Sequence, residues 1–266
     1  MWRSRGDGRS FQFEPMRVTV VIPTYNEARS IGLVLADIPA EIVQQVLVVD
    51  SASTDGTAQI ARQMGAEVLH EPRRGYGRAC LTGLAAVNAS DVVVFLDGDY
   101  SDRPAEMSRL LEPLRNGAAD IVIGSRLAGE LIAGAMPWHA VAGNRLAARL
   151  IGLLSGVRLT DLGPFRAARY EALIALGLRE STYGWPVEMI MKGARRGLRI
   201  TEVPVSYQLG IFKLNVVFRV AAGRYMPETA ASSKIALNCA RIIPPATAAA
   251  SRFLPASVNQ KLTVPM

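Results

Sequence analysis

Apolar residues along this chain follow two rhythms. Short, almost unbroken apolar runs occur at "VTVVIP" (18–23), "QQVLVVD" (44–50), "AEVLH" (66–70), "DVVVFLD" (91–97) and "ADIVIGS" (119–125). They are rich in β-branched residues and read as strands buried on both faces. Between them the pattern turns helical: from about Glu27 to Asp37, closed by Pro39; from 56 to 64, opened by the turn and cap residues "SASTDGT"; from 75 to 88, opened by glycines; and over roughly 104 to 115. Strand and helix alternate through short loops. That order predicts an α/β fold with a mostly parallel central sheet and helices on both faces.

Ligand sites in such sheets lie beyond the carboxyl ends of the strands. Three of the expected strands end in polar residues there: Pro23-Thr24-Tyr25-Asn26-Glu27, Asp50, and Asp97-Gly98-Asp99. Those ends are expected to converge. In "VVVFLDGDYSD" an apolar run leads straight into Asp97, Asp99 and Asp102. Gly98 lets the backbone turn sharply between the first two acids. Unpaired carboxylates so close repel and raise a pKa, and a divalent cation removes the conflict. Oxygen ligands without His or Cys suit Mg²⁺ or Mn²⁺. Asp102, just before "RPAE", reads either as a third metal ligand or as a helix N-cap.

Composition adds a location for the charge. The 266 residues are 50% hydrophobic and 20% charged, with a formal net charge of +7, which is ample for a core. Residues 17–208 are electrically balanced, whereas 209–266 hold seven Lys or Arg against the single acid Glu228. Residues 1–15, with Arg3, Arg5 and Arg9, are expected to be a disordered basic extension or the product of an upstream start. The basic tail suits an anionic membrane surface. No nucleic-acid-binding signature accompanies it, so nucleic acid is not expected as a partner. Cys80 and Cys239 lack metal spacing or a disulfide framework and read as small core residues in a reducing compartment. No apolar run reaches about 18 residues, and the N-terminus lacks a signal-peptide core. The expected location is cytoplasmic, with attachment to the cytoplasmic face of a membrane as the refinement.

"VVIPTYNEARSI", "VLVVDSASTDGT", "RRGYGRACLTGL", "FLDGDYSD", "IVIGSR" and "LTDLGPFRA" follow one another in the order found in family 2 glycosyltransferases. Over about residues 17–208 the chain resembles that family, nearest its dolichyl- or polyprenyl-phosphate hexosyltransferases. The resemblance implies a GT-A fold, a Rossmann-like nucleotide-sugar-binding domain over 16–208, with 209–266 as an atypical basic tail. It implies a nucleotide-diphosphate sugar donor of the UDP-glucose or GDP-mannose type. Pro23, Tyr25 and Glu27 would line the base and ribose pocket, and Asp50 would accept hydrogen bonds from the base. Arg73, Arg74 and Gly75 would meet phosphate at the glycine-rich helix start. Asp97 and Asp99, with Asp102, would carry Mg²⁺ or Mn²⁺ against the diphosphate, and Arg126 would add a second cation there unless it forms a salt bridge instead.

The same resemblance implies an inverting, in-line transfer of a hexose. A hydroxyl acceptor needs a general base, whereas a polyprenyl or dolichyl phosphate is already anionic. The carboxylates left for such a base are Asp161 and Glu188; either could orient the sugar, and Glu188 could equally be a solvated helix residue. His70 and His139 read as structural. "GNRLAARLIGLLSG" (143–156) is an amphipathic helix carrying Arg145 and Arg149 on one face. In the related enzymes this region lies near the membrane, where a lipid phosphate acceptor would be found; a core-facing helix with solvated arginines is the other reading. Past "ITEVPVSY" the resemblance fails: Gln208 stands where the family carries a cation, and the rest is either a divergent amphipathic anchor or a shifted reading frame. Two alternatives to lipid transfer therefore stand: transfer to a small soluble acceptor, or an inactive nucleotide-sugar-binding protein.

Overall fold

The computed structural model describes residues 16–129 and 138–208. The basic extension at 1–15 and the tail at 209–266, with Cys239, lie outside the described residues. Seven strands form one sheet in the order β3-β2-β1-β4-β6-β5-β7. They are β1 (Val18–Thr24), β2 (Gln45–Asp50), β3 (Glu67–His70), β4 (Val92–Phe95), β5 (Ile121–Ser125), β6 (Arg166–Arg169) and β7 (Ile200–Pro204). β6 runs antiparallel to both β4 and β5, and the other pairings are parallel. The five strands read from the apolar runs are present. β6 is not legible in "RAAR", because it owes its place to neighbours on both sides rather than to β-branched residues.

Side chains along β1 and β4 alternate between two cores, as a period of two requires. Val20, Ile22, Val92, Val94 and Leu96 join one apolar cluster; Val21, Val93 and Phe95 join the other. The first is covered by α1 (Ile31–Ala36), α2 (Thr57–Gln63) and α4 (Met107–Arg115), and the second by α3 (Tyr76–Ala85), α5 (Trp138–Ser155), α6 (Tyr170–Leu176) and α7 (Trp185–Arg195). A central sheet coated on both faces explains the nearly continuous apolar strands. α1 begins later than the sequence pattern suggests, since Ala28 and the residues before it are held in a loop by neighbouring side chains.

Two close approaches fix how the helices seat. Gly83 of α3 faces Val21 so tightly that an added Cβ would lie 2.4 Å from its methyl. Trp185, the first residue of α7, is fully buried and meets Phe95 edge-on at 4.8 Å between ring centroids. α7 is thereby pinned beneath the end of β4. Replacing Trp185 by Ala is expected to cost about 3–5 kcal/mol of stability; a urea-denaturation midpoint equal to wild type would show that this anchor is dispensable.

Candidate functional site

The loops after β1 and β2 are stitched together. The Asn26 amide donates to Ser53 Oγ at 2.9 Å, and the Thr54 amide returns a bond to Asn26 Oδ1 at 2.9 Å. The Glu27 amide donates to Thr57 Oγ1 at 2.8 Å and the Ala28 amide to Asp55 Oδ2 at 3.0 Å. "PTYNEA" and "SASTDGT" therefore form one rigid unit. Asn26 and Ala52, φ 56° and 58°, adopt left-handed backbone two residues past the ends of β1 and β2, and Tyr100, φ 60°, does so after the acid turn. Strain of that kind gathers where function demands a particular backbone path.

A cleft of about 560 Å³ opens at these strand ends. It brings together the expected residues Pro23, Tyr25, Glu27, Gly75, Asp97 and Asp99. Thr182 and Tyr183, from the loop before α7, close the side that the sequence reading left empty. No local signal marks them; only the packing of α7 on the sheet carries their loop to the cleft. Arg74 reaches over the Tyr25 ring, 4.2 Å from its centroid, a cation–π contact on the cleft wall.

The glycine-rich start of α3 departs from the expected phosphate cradle. The amides of Gly77 and Arg78 donate to the carbonyls of Thr182 and Ser181, at 3.1 and 3.0 Å. A Cβ on Gly75 or Gly77 would sit 2.4 Å from Ser181 O or 2.3 Å from Glu180 O. These glycines admit protein backbone, and those two amides are spent on the 180–184 loop. Arg73 points away from the cleft lining; it is mostly exposed and bonds Glu71, so Arg74 is the cation that reaches the cleft. Gly98 also differs in its reason: its backbone is not left-handed, but a Cβ would approach the Thr24 methyl to 2.8 Å.

The three acids are not equivalent. Asp97 and Asp99 border the cleft, and Asp99 Oδ1 also accepts the Ser101 amide at 3.0 Å. Asp102 is buried, with both carboxylate oxygens lacking a hydrogen-bond partner among the described residues, so it does not cap the following 3-10 turn, Pro104–Glu106. Burial and then the charge of Asp97 hold its carboxyl well above the usual range, with Arg126 opposing. Among the described residues no three acid, His or Cys side chains are arranged to cage a metal. The donor set at the cleft is a pair of hard carboxylates with an unsatisfied third behind them. That fits an ion completed by substrate phosphate and water, as Mg²⁺ and Mn²⁺ prefer.

Arg126 and Asp161 have found each other. Arg126 Nε and Nη2 meet the two carboxylate oxygens of Asp161 at 2.6 and 2.8 Å, and the Arg126 amide adds a bond at 3.0 Å. The salt bridge, not a second diphosphate cation, is what the geometry gives Arg126; neither residue lines the cleft. Asp161 is wholly buried, engaged at both oxygens and absent from the cleft lining. Glu188 is also occupied: it accepts the amides of Arg179 and Glu180 and pairs with Lys192 at 2.7 Å. Burial raises its pKa, but Lys192 and those amides more than reverse this and hold it below the ordinary range. Its task is to fasten the loop that carries Tyr183. Asp50 is buried beside the cleft, Oδ2 accepting the Ser53 amide and Oδ1 without a partner among the described residues. His70 ends β3 away from the cleft, and His139 lies on α5 rather than in a loop.

Gln208 lies against the acid turn, its side chain donating to Tyr100 O at 2.8 Å and its amide to Ser101 O at 3.0 Å. α5 turns Ala148 and Ile151 inward and leaves Leu146, Leu150, Leu153 and Leu154 between 51% and 82% exposed. Arg145 and Arg149 are exposed beside them. No helix among the described residues is long and apolar enough to cross a membrane.

Residues 19–177 match the family model described as glycosyl transferase family 2. An uncharacterised glycosyltransferase of Mycobacterium tuberculosis is 39% identical over 191 residues, 71% of this chain and 84% of the relative. An undecaprenyl-phosphate mannosyltransferase of Micrococcus luteus is 36% identical over 224 residues, covering 75% and 88%. Among solved structures, glucosyl-3-phosphoglycerate synthase of Mycobacterium tuberculosis with phosphoglyceric acid superimposes with a TM-score of 0.61 at 26% identity, covering 80% of this chain and 73% of that one. The same enzyme with Mn²⁺ and UDP-glucose gives 0.59 at 25%, covering 80% and 81%.

The two ion pairs make contrasting predictions. Arg126→Ala strands a buried carboxylate and is expected to cost about 3–5 kcal/mol. Arg17→Ala breaks a solvent-exposed pair with Asp91 and should cost about 1 kcal/mol or less. Chemical denaturation of both variants checks this, and equal losses would contradict it.

Proposed function

The chain belongs to glycosyl transferase family 2, and from that footing we propose that it moves a hexose from a nucleotide-diphosphate sugar to a polyprenyl phosphate, inverting the anomeric centre. The donor is of the UDP-glucose or GDP-mannose type. The observation that carries the donor reading is the cleft itself, where the β1 and β2 loops and the Asp97/Asp99 pair meet at the strands' carboxyl ends. Tyr25, Glu27 and Pro23 would receive base and ribose, with Asp50 behind them. Asp97 and Asp99 would hold Mg²⁺ or Mn²⁺, as the M. tuberculosis synthase was crystallised with Mn²⁺ and UDP-glucose. When bound, the ion supplies charge neutralisation to the departing diphosphate. Arg74 stands at the same cleft as an exposed cation over the Tyr25 ring.

The acceptor reading rests on what the carboxylates are doing. Asp161 and Glu188, the candidates for a general base, are both held by cations and amides. An acceptor that is already anionic needs no proton removed, and a lipid phosphate is such a nucleophile. The M. luteus relative is named for an undecaprenyl-phosphate acceptor. The leucine and arginine face of α5 suits the interface of an anionic membrane, with leucines in the acyl boundary and arginines at headgroup level. A phosphorylated soluble acceptor is the second reading, supported by the phosphoglyceric acid in the structural neighbour.

Incubation with labelled UDP-glucose or GDP-mannose, polyprenyl phosphate and phosphoglyceric acid together, followed by partition into organic solvent, decides between the two. Label in the organic phase is expected; label that stays with a water-soluble phosphorylated product favours the second. Asp99→Ala should weaken Mn²⁺-dependent nucleotide binding by about tenfold or more without lowering the melting temperature. Unchanged metal-dependent affinity would move the ion elsewhere. Leu153→Asp with Leu154→Asp should cut co-sedimentation with vesicles containing anionic lipid by about tenfold or more. Undiminished sedimentation would take α5 off the membrane.

A further inference from the structure

Besides the acid pair, the cleft lining includes Tyr25 and Tyr183, on different loops. Tyr25 stands at the end of β1 with Arg74 over its ring. Tyr183 stands on the loop before α7, 86% exposed, its ring stacked on Tyr76 at 5.9 Å and 17° between planes. So large an exposed aromatic surface at a cleft mouth is apolar area left in water. Its support is rigid: Tyr76 packs edge-on against Trp185 at 6.5 Å, and Trp185 packs against Phe95, two residues before Asp97. Glu180 Oε1 accepts the Thr182 amide at 2.9 Å, Glu188 holds the amides of Arg179 and Glu180, and α3 is bonded to the carbonyls of Ser181 and Thr182. The ring therefore rests on a fixed support at the cleft.

With a base at Tyr25 and a diphosphate at the acid pair, Thr182 and Tyr183 are among the cleft residues left to meet the remaining group of a nucleotide sugar. We propose that Tyr183 is the platform for the transferred hexose, its ring lying against the sugar's C–H face, so that it contributes affinity for the sugar and not for the nucleoside diphosphate. This rests on the donor reading above and adds to it a residue that determines sugar recognition. Because the ring is exposed, removing it leaves the core intact.

The test compares Mn²⁺-dependent binding of UDP with UDP-glucose, and of GDP with GDP-mannose, to wild type, Tyr183→Ala and Tyr183→Phe. For the nucleotide pair that binds, Tyr183→Ala should lose about tenfold in affinity for the nucleotide sugar and remain within about twofold for the nucleoside diphosphate. Tyr183→Phe, which keeps the ring, should retain wild-type values for both, and in turnover the loss should appear in the donor KM. Equal losses for nucleotide and nucleotide sugar would place Tyr183 at the base instead, and no loss for either would remove it from the site; both outcomes overturn the proposal while the donor reading stands. Failure of wild type to bind any of the four ligands would overturn the donor reading and this proposal with it.

Discussion

Everything at the cleft depends on how charge is tolerated where β4 ends. Asp97, Asp99 and Asp102 follow a strand that is wholly buried, and two arginines of the chain itself enter the same region. Arg126 is locked to Asp161, and buried Arg166 donates to the carbonyls of Leu162, Gly163 and Pro186. Burial lowers the pKa of Arg166, whereas nearby groups including Asp97 and Asp161 counter this. Burial likewise lowers that of Arg126, but the Asp161 carboxylate overcomes the effect and holds it above the ordinary value. Charges taken out of water are stable only with partners of this quality. The result is an acid turn with its inner carboxyl buried, its pKa raised by burial and then by Asp97, and its two outer carboxylates at the cleft.

The same economy of space governs the loops. Gly75, Gly77 and Gly98 are small because backbone or a methyl group occupies the volume that a side chain would take. Where a nucleotide-binding motif would leave amides free for phosphate, α3 gives two of them to the 180–184 loop. The chain thus trades an anion cradle for a rigid wall, and the wall presents Thr182 and Tyr183. In the proposed reading, phosphate is met by an ion at the acid pair and by Arg74. A wall built from bonded backbone moves little, which suits recognition by shape.

The apolar face of α5 follows from a similar competition. Ala148 and Ile151 face the core, and four leucines of the helix stay exposed among the described residues. Arginines beside them give the face the character of an interfacial helix rather than a failed core. The cleft and the apolar face are the two features on which the proposal of a lipid phosphate acceptor rests.

The amino-acid order alone determined the class of fold, five of the seven strands, and the meeting of Tyr25, Glu27, Asp97 and Asp99. Those depend on local periodicity and on the rule that parallel strands present their carboxyl ends together. It did not determine β6, whose "RAAR" becomes a strand only between β4 and β5, nor the pairing of Arg126 with Asp161, 35 residues apart. It gave no sign of Tyr183, carried to the cleft by Trp185 settling under Phe95, and it left Asp161 and Glu188 open as bases until their partners were in place. Sequence reads a residue's chemistry and its immediate period; which charges neutralise one another is set by contacts between segments far apart along the chain, and only packing creates those.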